Sequence, residues 1–414
     1  MTVPKLREEA RLRDSWLAER LDTIVPALME REGIDAWVLA AREYNEDPVL
    51  ATMLPATWMS ARRRTVLVFT DRGRVRHAVA RYDAGAPFPR AWDPVTQPDQ
   101  WTAVADLLTE ADPATIAVDR SPTTALADGM SASEHEALIA ALPPSLRNRL
   151  VPADALAVGW LETRIPAETE AFTMAAALGH QIIAEGLSNS AIAPGTTTTE
   201  DLEWWFRDKV RSLGLTTWFQ PAVSVQRPGG TARISFADHP GRIVIDRGDL
   251  VHVDFGIIYL GLHTDQQQHA YVLGDGETGV PSGLASALAE GNRLQDILLG
   301  QFAEGHTGNQ ALAAARAEAL SEGLRPTIYS HPIGLHGHAA GPSIGLWDQQ
   351  DGVPGDGDLP IRPATTWSIE LNVQVDIEEW GGRTVSIMLE EDARFDGTAV
   401  EWLDGRQTAF HLVR

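Results

Sequence analysis

VDFGIIYLGLHTDQQQHAY, residues 253–271, is the stretch on which the reading of this chain turns. It is apolar and punctuated by Gly256 and Gly261, the texture of two strands joined by a tight turn. Two acids interrupt it, Asp254 and Asp265, eleven residues apart. A two-residue turn at Tyr259 and Leu260 sets residue 258 opposite 261 and Asp254 opposite Asp265. The two carboxylates then share a face, with Cβ atoms about 4.5–5.5 Å apart. Like charges so placed repel, and burial raises the cost. Hard divalent cations between them would reverse the sign, because such ions take carboxylate oxygens.

If cations sit there, further ligands should appear along the chain, and three segments supply them. YSHPIGLHGHAAGP (329–342) holds His331, His336 and His338. TTWSIELNVQV (365–375) carries Glu370 inside an apolar strand. VSIMLEEDARF (385–395) ends an apolar run with Glu390 and Glu391. A charge inside such a strand is rarely buried unless it is paired or metal-bound. Strand side chains alternate faces, so only one of Glu390 and Glu391 points inward. Glu390, which shares its face with Met388, Asp392 and Arg394, is the expected one and Glu391 the alternative. An oxygen-rich set of this kind suits Mn²⁺, with Co²⁺ or Zn²⁺ as alternatives. HGH (336–338) also fits a different hydrolase pattern, the HxH of amidohydrolases, although that motif normally opens a first strand near a chain's start.

The bulk numbers narrow the class. The 414 residues suffice for one large or two ordinary domains. A net charge of −23 without a basic stripe argues against nucleic acid and anionic membrane as partners. No cysteine is present, which excludes disulfides, thiolate metal sites and cysteine nucleophiles. The charged, helical start, MTVPKLREEARLRDSWLAERL, has no apolar h-region, so the expected location is cytoplasmic.

Residues 1–158 read as a small α/β domain. A helix over 5–31 ends at Gly33, and strands follow at 36–40, 64–71, 74–80 and 115–120, with helices at 101–110 and 132–141. Residues 159–414 form the second domain. It opens with a helix from Pro166 to Leu187, and Thr197 with Glu200 fits a capping box for the next one. Strands at 220–226, 250–258, 262–273, 366–375 and 384–395 and helices at 283–302 and 308–322 complete it. Trp204 and Trp205 fall mid-helix and are expected in the core. Trp218, with Phe219, is a candidate pocket wall, a core position being the alternative. His336 is a candidate for the same pocket. GDGETG (274–279) matches a dinucleotide-loop pattern, but no helix opens there and it reads as a turn.

The ordered set Asp, Asp, His, Glu, Glu resembles the pita-bread metallohydrolases, which comprise aminopeptidase P, prolidase, methionine aminopeptidase and the metal-free creatinase. GDLVHVDFGIIYLGLHTD resembles their two-aspartate hairpin, HPIGLHGH their H-x-I-G-x-x-x-H segment, and LEED their final acidic cluster. REYNEDP (43–49) and SARRRTVLVF (60–69) look like the N-terminal domain of the creatinase and aminopeptidase P branch. The resemblance implies an α+β chain: a C-terminal pita-bread catalytic domain behind a smaller creatinase-like α/β domain. It implies two divalent ions on Asp254, Asp265, His331, Glu370 and Glu390. Glu370 would also shuttle a proton, and His338 would assist catalysis. The implied activity is cleavage of an Xaa-Pro bond, as aminopeptidase or dipeptidase, by a water shared between the ions. A non-peptide amide substrate and a non-catalytic peptide-binding module are the alternatives. The implied partners are a small peptide or amide substrate and a second copy in a homodimer. Three positions depart from the pattern. QQQHAY (266–271) replaces a Thr-Arg-Thr run, Met388 replaces an arginine, and the substrate-side histidine fits only His239, with a small gap.

Overall fold

The computed structural model describes residues 3–230 and 242–414. The chain divides into two compact units, the first spanning Pro4–Ile165 and the second essentially Pro166–Arg414. The change of unit falls at Ile165/Pro166, because the helix that crosses residue 158 packs on the first unit's opening helix, with Gly159 against Leu28.

In the first unit, helix α1 (Leu6–Glu32) ends at Gly33, whose φ of 66° makes the left-handed cap expected of glycine. Strand β1 (Ala36–Arg42), short helix α2 (Pro48–Thr52), β2 (Arg64–Thr70) and β3 (Val75–Ala80) follow. After α3 (Gln100–Ala111) come β4 (Ile116–Val118), α4 (Ala132–Ala141), α5 (Pro144–Arg147), β5 (Leu150–Pro152) and α6 (Asp154–Glu162). The sheet order is β3-β2-β1-β4-β5, with β4 parallel to both neighbours. Val38, Val66 and Val68 of the sheet pack with Trp101, Leu108 and Leu138 of α3 and α4.

The second unit begins with α7 (Pro166–Gly186) and α8 (Thr199–Ser212). Its capping box is one residue further on than the sequence suggests. Thr198 Oγ1 accepts from Asp201 N, and Asp201 Oδ2 accepts from Thr198 N, while Thr197 Oγ1 accepts from Ala193 N. The helix period explains a second difference. Leu202, Phe206 and Val210, four apart, form the buried face of α8, so Trp204 turns outward and is 54% exposed rather than in the core.

Strands β6 (Ala222–Gln226), β7 (Leu250–Phe255), β8 (Ile258–Tyr259), β9 (Leu262–His263) and β10 (Gln266–Val272) lead to helices α9 (Ser282–Leu299) and α10 (Gly308–Ser321). Strands β11 (Pro326–Ile328), β12 (His331–Pro332), β13 (Thr365–Ile377), β14 (Arg383–Phe395), β15 (Val400–Trp402) and β16 (His411–Val413) complete the unit. The main sheet runs β11-β13-β14-β10-β7-β6, with β12 on β13, β15 on β14 and β16 on β10. Alternation assigns its two faces. Ile369, Leu371, Val373, Ile387 and Leu389 join the core that α9 and α10 cover. The residues that alternate with them along each strand point to the other face, and they include both strand glutamates of the candidate site, Glu370 and Glu390.

The hairpin register differs from the expected one. Ile258 pairs with His263, Tyr259 with Leu262, and Asp254 with Gln267. The turn is therefore Leu260–Gly261, with φ of 54° and 83°. A two-residue hairpin turn of this kind needs positive φ at both central positions, and Gly261 meets that need without a Cβ clash. Glycine draws the turn one place along, and the register moves by two. A shift of two preserves the face, so Asp254 and Asp265 still share one, as diagonal rather than opposite neighbours.

No helix among the described residues is long and apolar enough to cross a membrane.

Candidate metal centre

Two adjacent rows of the sheet carry the polar groups. Across one row the paired residues are Ala222, Asp254, Gln267, Glu390 and Glu370. The next holds His331, Ser368 and Asp392, and Asp265 N donates to Asp392 Oδ1 at 3.3 Å. The expected residues thus meet in one place. Ligand-type atoms of Asp254, Asp265 and Glu390 lie within 4.8 Å of one another, as do those of His331, Glu370 and Glu390 and those of Asp265, His331 and His338.

Most of these groups are buried. Asp265, His331, Glu370, Glu390 and Asp392 are all 6% exposed or less. Burial, and then the charge of Glu390, holds the carboxyls of Asp254, Asp265 and Glu370 well above the ordinary range. Asp392 is likewise raised, first by burial. Tyr329, packed at the same place, is pushed up by burial and by the neighbouring acids.

Donors satisfy part of the cluster. Ser368 Oγ donates to Glu390 Oε1. Gln267 Nε2 donates to Glu370 Oε1 at 2.8 Å and to Glu390 Oε2 at 2.7 Å. The rest is left facing itself. Asp254 Oδ1, Asp265 Oδ1 and His331 Nε2 are buried without a hydrogen bond. His331 Nδ1 lies 2.9 Å from the Pro332 carbonyl, which can only accept, so Nδ1 carries a proton. In the neutral ring, the form that binds metal, the lone pair on Nε2 faces Asp265 Oδ2 at 3.9 Å and Glu390 Oε1 at 3.7 Å. A lone pair aimed at two carboxylates is repulsive unless a cation lies between them, and a backbone acceptor on the far nitrogen is the usual way to orient a metal-binding imidazole. The donor set fits divalent metal.

Glu390 and Glu391 point to opposite faces. Glu391 is fully buried on the helix side, where it accepts from Gln268 Nε2 at 2.9 Å and from Gln407 N at 3.0 Å. His180 Nε2 of α7 lies 2.5 Å from Glu391, and its Nδ1 lies 2.8 Å from Asp404. Burial alone would lower His180, but the hydrogen bonds and charges of Glu391 and Asp404 overcome it and raise the imidazole to about 9.

The open side carries the candidate pocket groups. His338 is solvent-facing, with its ring 4.8 Å from that of His331 and 5.2 Å from Trp218. Desolvation is the main cause that lowers it to about 4, so its ring is neutral near pH 7. Trp218 is half-buried, and its Nε1 donates to the Thr264 carbonyl at 2.9 Å. It lies so close over Gly337 that a Cβ there would come within 2.5 Å of the indole. His336 stacks at 6.4 Å on His263. His239 lies outside the described residues.

The model of metallopeptidase family M24 matches residues 170–394, more than half of the chain. The chain belongs to metallopeptidase family M24. No curated protein matches it. Among solved structures, this M24 chain is similar in fold to an X-Pro aminopeptidase from Thermotoga maritima, with 16% identity, TM-score 0.65, and 93% of this chain and 99% of that one covered. It is similarly close to an Xaa-Pro dipeptidase from Bacillus anthracis, at 17% identity, TM-score 0.64 and 99% and 100% coverage. A dipeptidase PepE from Mycobacterium ulcerans aligns at 22% identity, TM-score 0.64 and 96% and 98% coverage. These likenesses bear out the expected architecture, a pita-bread domain with an N-terminal α/β domain.

Sequence reasoning left some of the M24 chain's site unassigned. Gln267 and Ser368 enter the cluster, and Asp392, placed on the Glu390 face but given no role, borders Asp265. The signal was the period of two: Gln267 follows Asp265, and Ser368 precedes Glu370, by two residues.

Proposed function

We propose that this chain is a metal-dependent hydrolase that cuts the bond before proline in a small peptide. The observation that carries the reading is the set of orphaned lone pairs on Asp254 Oδ1, Asp265 Oδ1 and His331 Nε2, which converge with Glu370 and Glu390 inside a family of metallopeptidases. Asp254, Asp265, His331, Glu370 and Glu390 would hold divalent cations, with manganese favoured by the oxygen-rich donors. When bound, such ions lower the pKa of a coordinated water and polarise an amide carbonyl.

The chain's own groups account for the rest. Glu370, buried in the cluster, would be ionised with cations bound, and its carboxylate would then take a proton from the attacking water and return it to the leaving amine. His338, neutral and at the open side, has one N–H to donate to the oxygen that gains charge. Such a donor is typically worth about 2.7–4 kcal/mol in the rate when it is removed. Trp218, fixed by its bond to Thr264 and its contact with Gly337, offers an apolar wall that suits a proline ring. Met388 supports a second reading, an uncharged non-peptide amide: it is buried on the site face, where the resembling sequences carry an arginine.

The test is metal content by elemental analysis, with an Xaa-Pro hydrolysis assay with and without added Mn²⁺. Retained metal with manganese-dependent cleavage is expected. Metal without cleavage moves the substrate to another amide, and no metal under any loading condition overturns the reading.

A further inference from the structure

YSHPIGLHGHAAGP (329–342) begins with a side chain that the proposed reaction leaves unused, Tyr329. Its place follows from the pairing on either side of it. Ile328 pairs with Leu371 and His331 with Ser368, which sets Tyr329 opposite Glu370, and Tyr329 N donates to the Glu370 carbonyl at 3.0 Å. Ile328 belongs to the core on the helix side, so the next side chain along takes the other face. Tyr329 thus ends the row that runs through Asp254, Gln267, Glu390 and Glu370. Its ring centroid lies 5.5 Å from that of His331 and 6.1 Å from that of His338.

The hydroxyl is the unusual part. Burial acts on it first, and then the charges of Glu370, Glu390, Asp265 and Asp254, so it faces the cluster. Yet the residue is only half-buried, and no hydrogen bond among the described residues engages that hydroxyl. Tyr271, by contrast, gives its hydroxyl proton to a hydrogen bond with Glu277 Oε2 at 2.9 Å. A phenol of ordinary pKa, about 10, keeps its proton near pH 7, so an unengaged O–H stands at the edge of the cluster. The rings of Tyr329, His331 and His338 form a triangle, with the two imidazoles 4.8 Å apart, and one small acceptor can reach both the O–H of Tyr329 and the N–H of His338. We propose that the Tyr329 hydroxyl is a further catalytic group: with His338 it donates a hydrogen bond to the amide oxygen that gains charge as the bond before proline is cut. It keeps its proton throughout. Donors fixed in advance where charge develops are among the strongest aids to such a reaction, and tyrosine is one of the side chains that can supply them.

The proposal rests on the hydrolase reading above, and its test separates the two. Tyr329→Phe removes one oxygen and keeps the ring. With Mn²⁺ present and an Xaa-Pro peptide that wild type cleaves, kcat should fall about 10²–10³-fold, the usual loss of one such donor, while KM changes little. A phosphinic analogue of the same peptide carries charged oxygens on a tetrahedral centre, and calorimetry should show it binding more weakly by a similar factor. Mn²⁺ affinity should not move. Tyr329→Leu carries the test if Tyr329→Phe does not fold. A ring that only packs leaves kcat and analogue affinity unchanged, and that result overturns the proposal. So does a loss of kcat with analogue affinity intact, or one matched by a loss of Mn²⁺ affinity. In each of these cases cleavage by wild type keeps the hydrolase reading. A wild type that takes up Mn²⁺ and cuts no Xaa-Pro peptide overturns both.

Discussion

The molecule buries acids together in two places and treats them differently. In the first unit Asp47 and Asp119 are both completely buried. Asp47 Oδ1 caps α2, accepting from Val49 N at 2.9 Å and Leu50 N at 2.8 Å, and Asp119 Oδ1 accepts from Trp37 Nε1 at 2.7 Å. Asp47 Oδ2 and Asp119 Oδ2 are the two oxygens left over, each carboxyl is raised first by burial, and one proton kept between the pair would satisfy both. One proton and three donors close the account. In the second unit Asp254 and Asp265 also lie together, but Glu370, Glu390 and Asp392 crowd the same place, and His331 Nε2 faces them. Protons alone do not resolve that arrangement. A buried acid is a structural group when its neighbours donate to it and a candidate ligand when they also accept.

The comparison breaks most visibly if the same isosteric change is made in both clusters. Asp265→Asn should weaken Mn²⁺ binding by at least about 100-fold, beyond the 10–100-fold typical of outer partners, and abolish hydrolysis. It should also raise the unfolding midpoint of the metal-free protein, because it removes one of several mutually repelling buried acids. Calorimetry with and without Mn²⁺ reads both effects. If Asp265→Asn kept its metal affinity, the second cluster would be structural like the first.

A smaller effect tests the two faces of β14. Glu390→Gln should lose metal, whereas Glu391→Gln should keep it and instead destabilise the fold by about 3–5 kcal/mol, the usual cost of breaking a buried ion pair. The ion pair in question is the one with His180. Metal content and denaturant melts on the two variants should therefore give opposite answers from adjacent residues. Metal loss in Glu391→Gln would reverse the assignment.

Much of this was legible because sheets alternate. A period of two separates Glu390 from Glu391 and keeps Asp254 and Asp265 on one face even though the turn was misplaced. What escaped depends on single backbone angles or on depth. Leu260 with φ of 54° has no compositional mark, so the register hung on whether Gly261 took the second turn position. Trp204 and Phe206 look alike in sequence, and only the stripe Leu202, Phe206, Val210 tells which of them is covered. Gln267 was invisible for another reason: an amide in a polar run reads as surface, and its place between two acids follows only from the pairing of β10 with β14.

The smallest effect sharpens the first cluster. Asp47 is raised by burial from an ordinary 3.8 to about 6. Between those values the folded chain keeps a proton that the unfolded chain has released, so stability falls as pH rises. The contribution is complete below the unfolded value and is lost as pH climbs through about 6, on the order of 3 kcal/mol in all. In Asp47→Asn the amide oxygen can still cap α2, while the amide nitrogen can donate to Asp119 in place of the shared proton. The variant should match wild type near pH 4 and exceed it at pH 8. Because Asp47 belongs to a cluster that protons and donors satisfy, added Mn²⁺ should leave that difference unchanged. A difference that shrinks or grows with Mn²⁺ would mean that the first cluster, too, answers to metal.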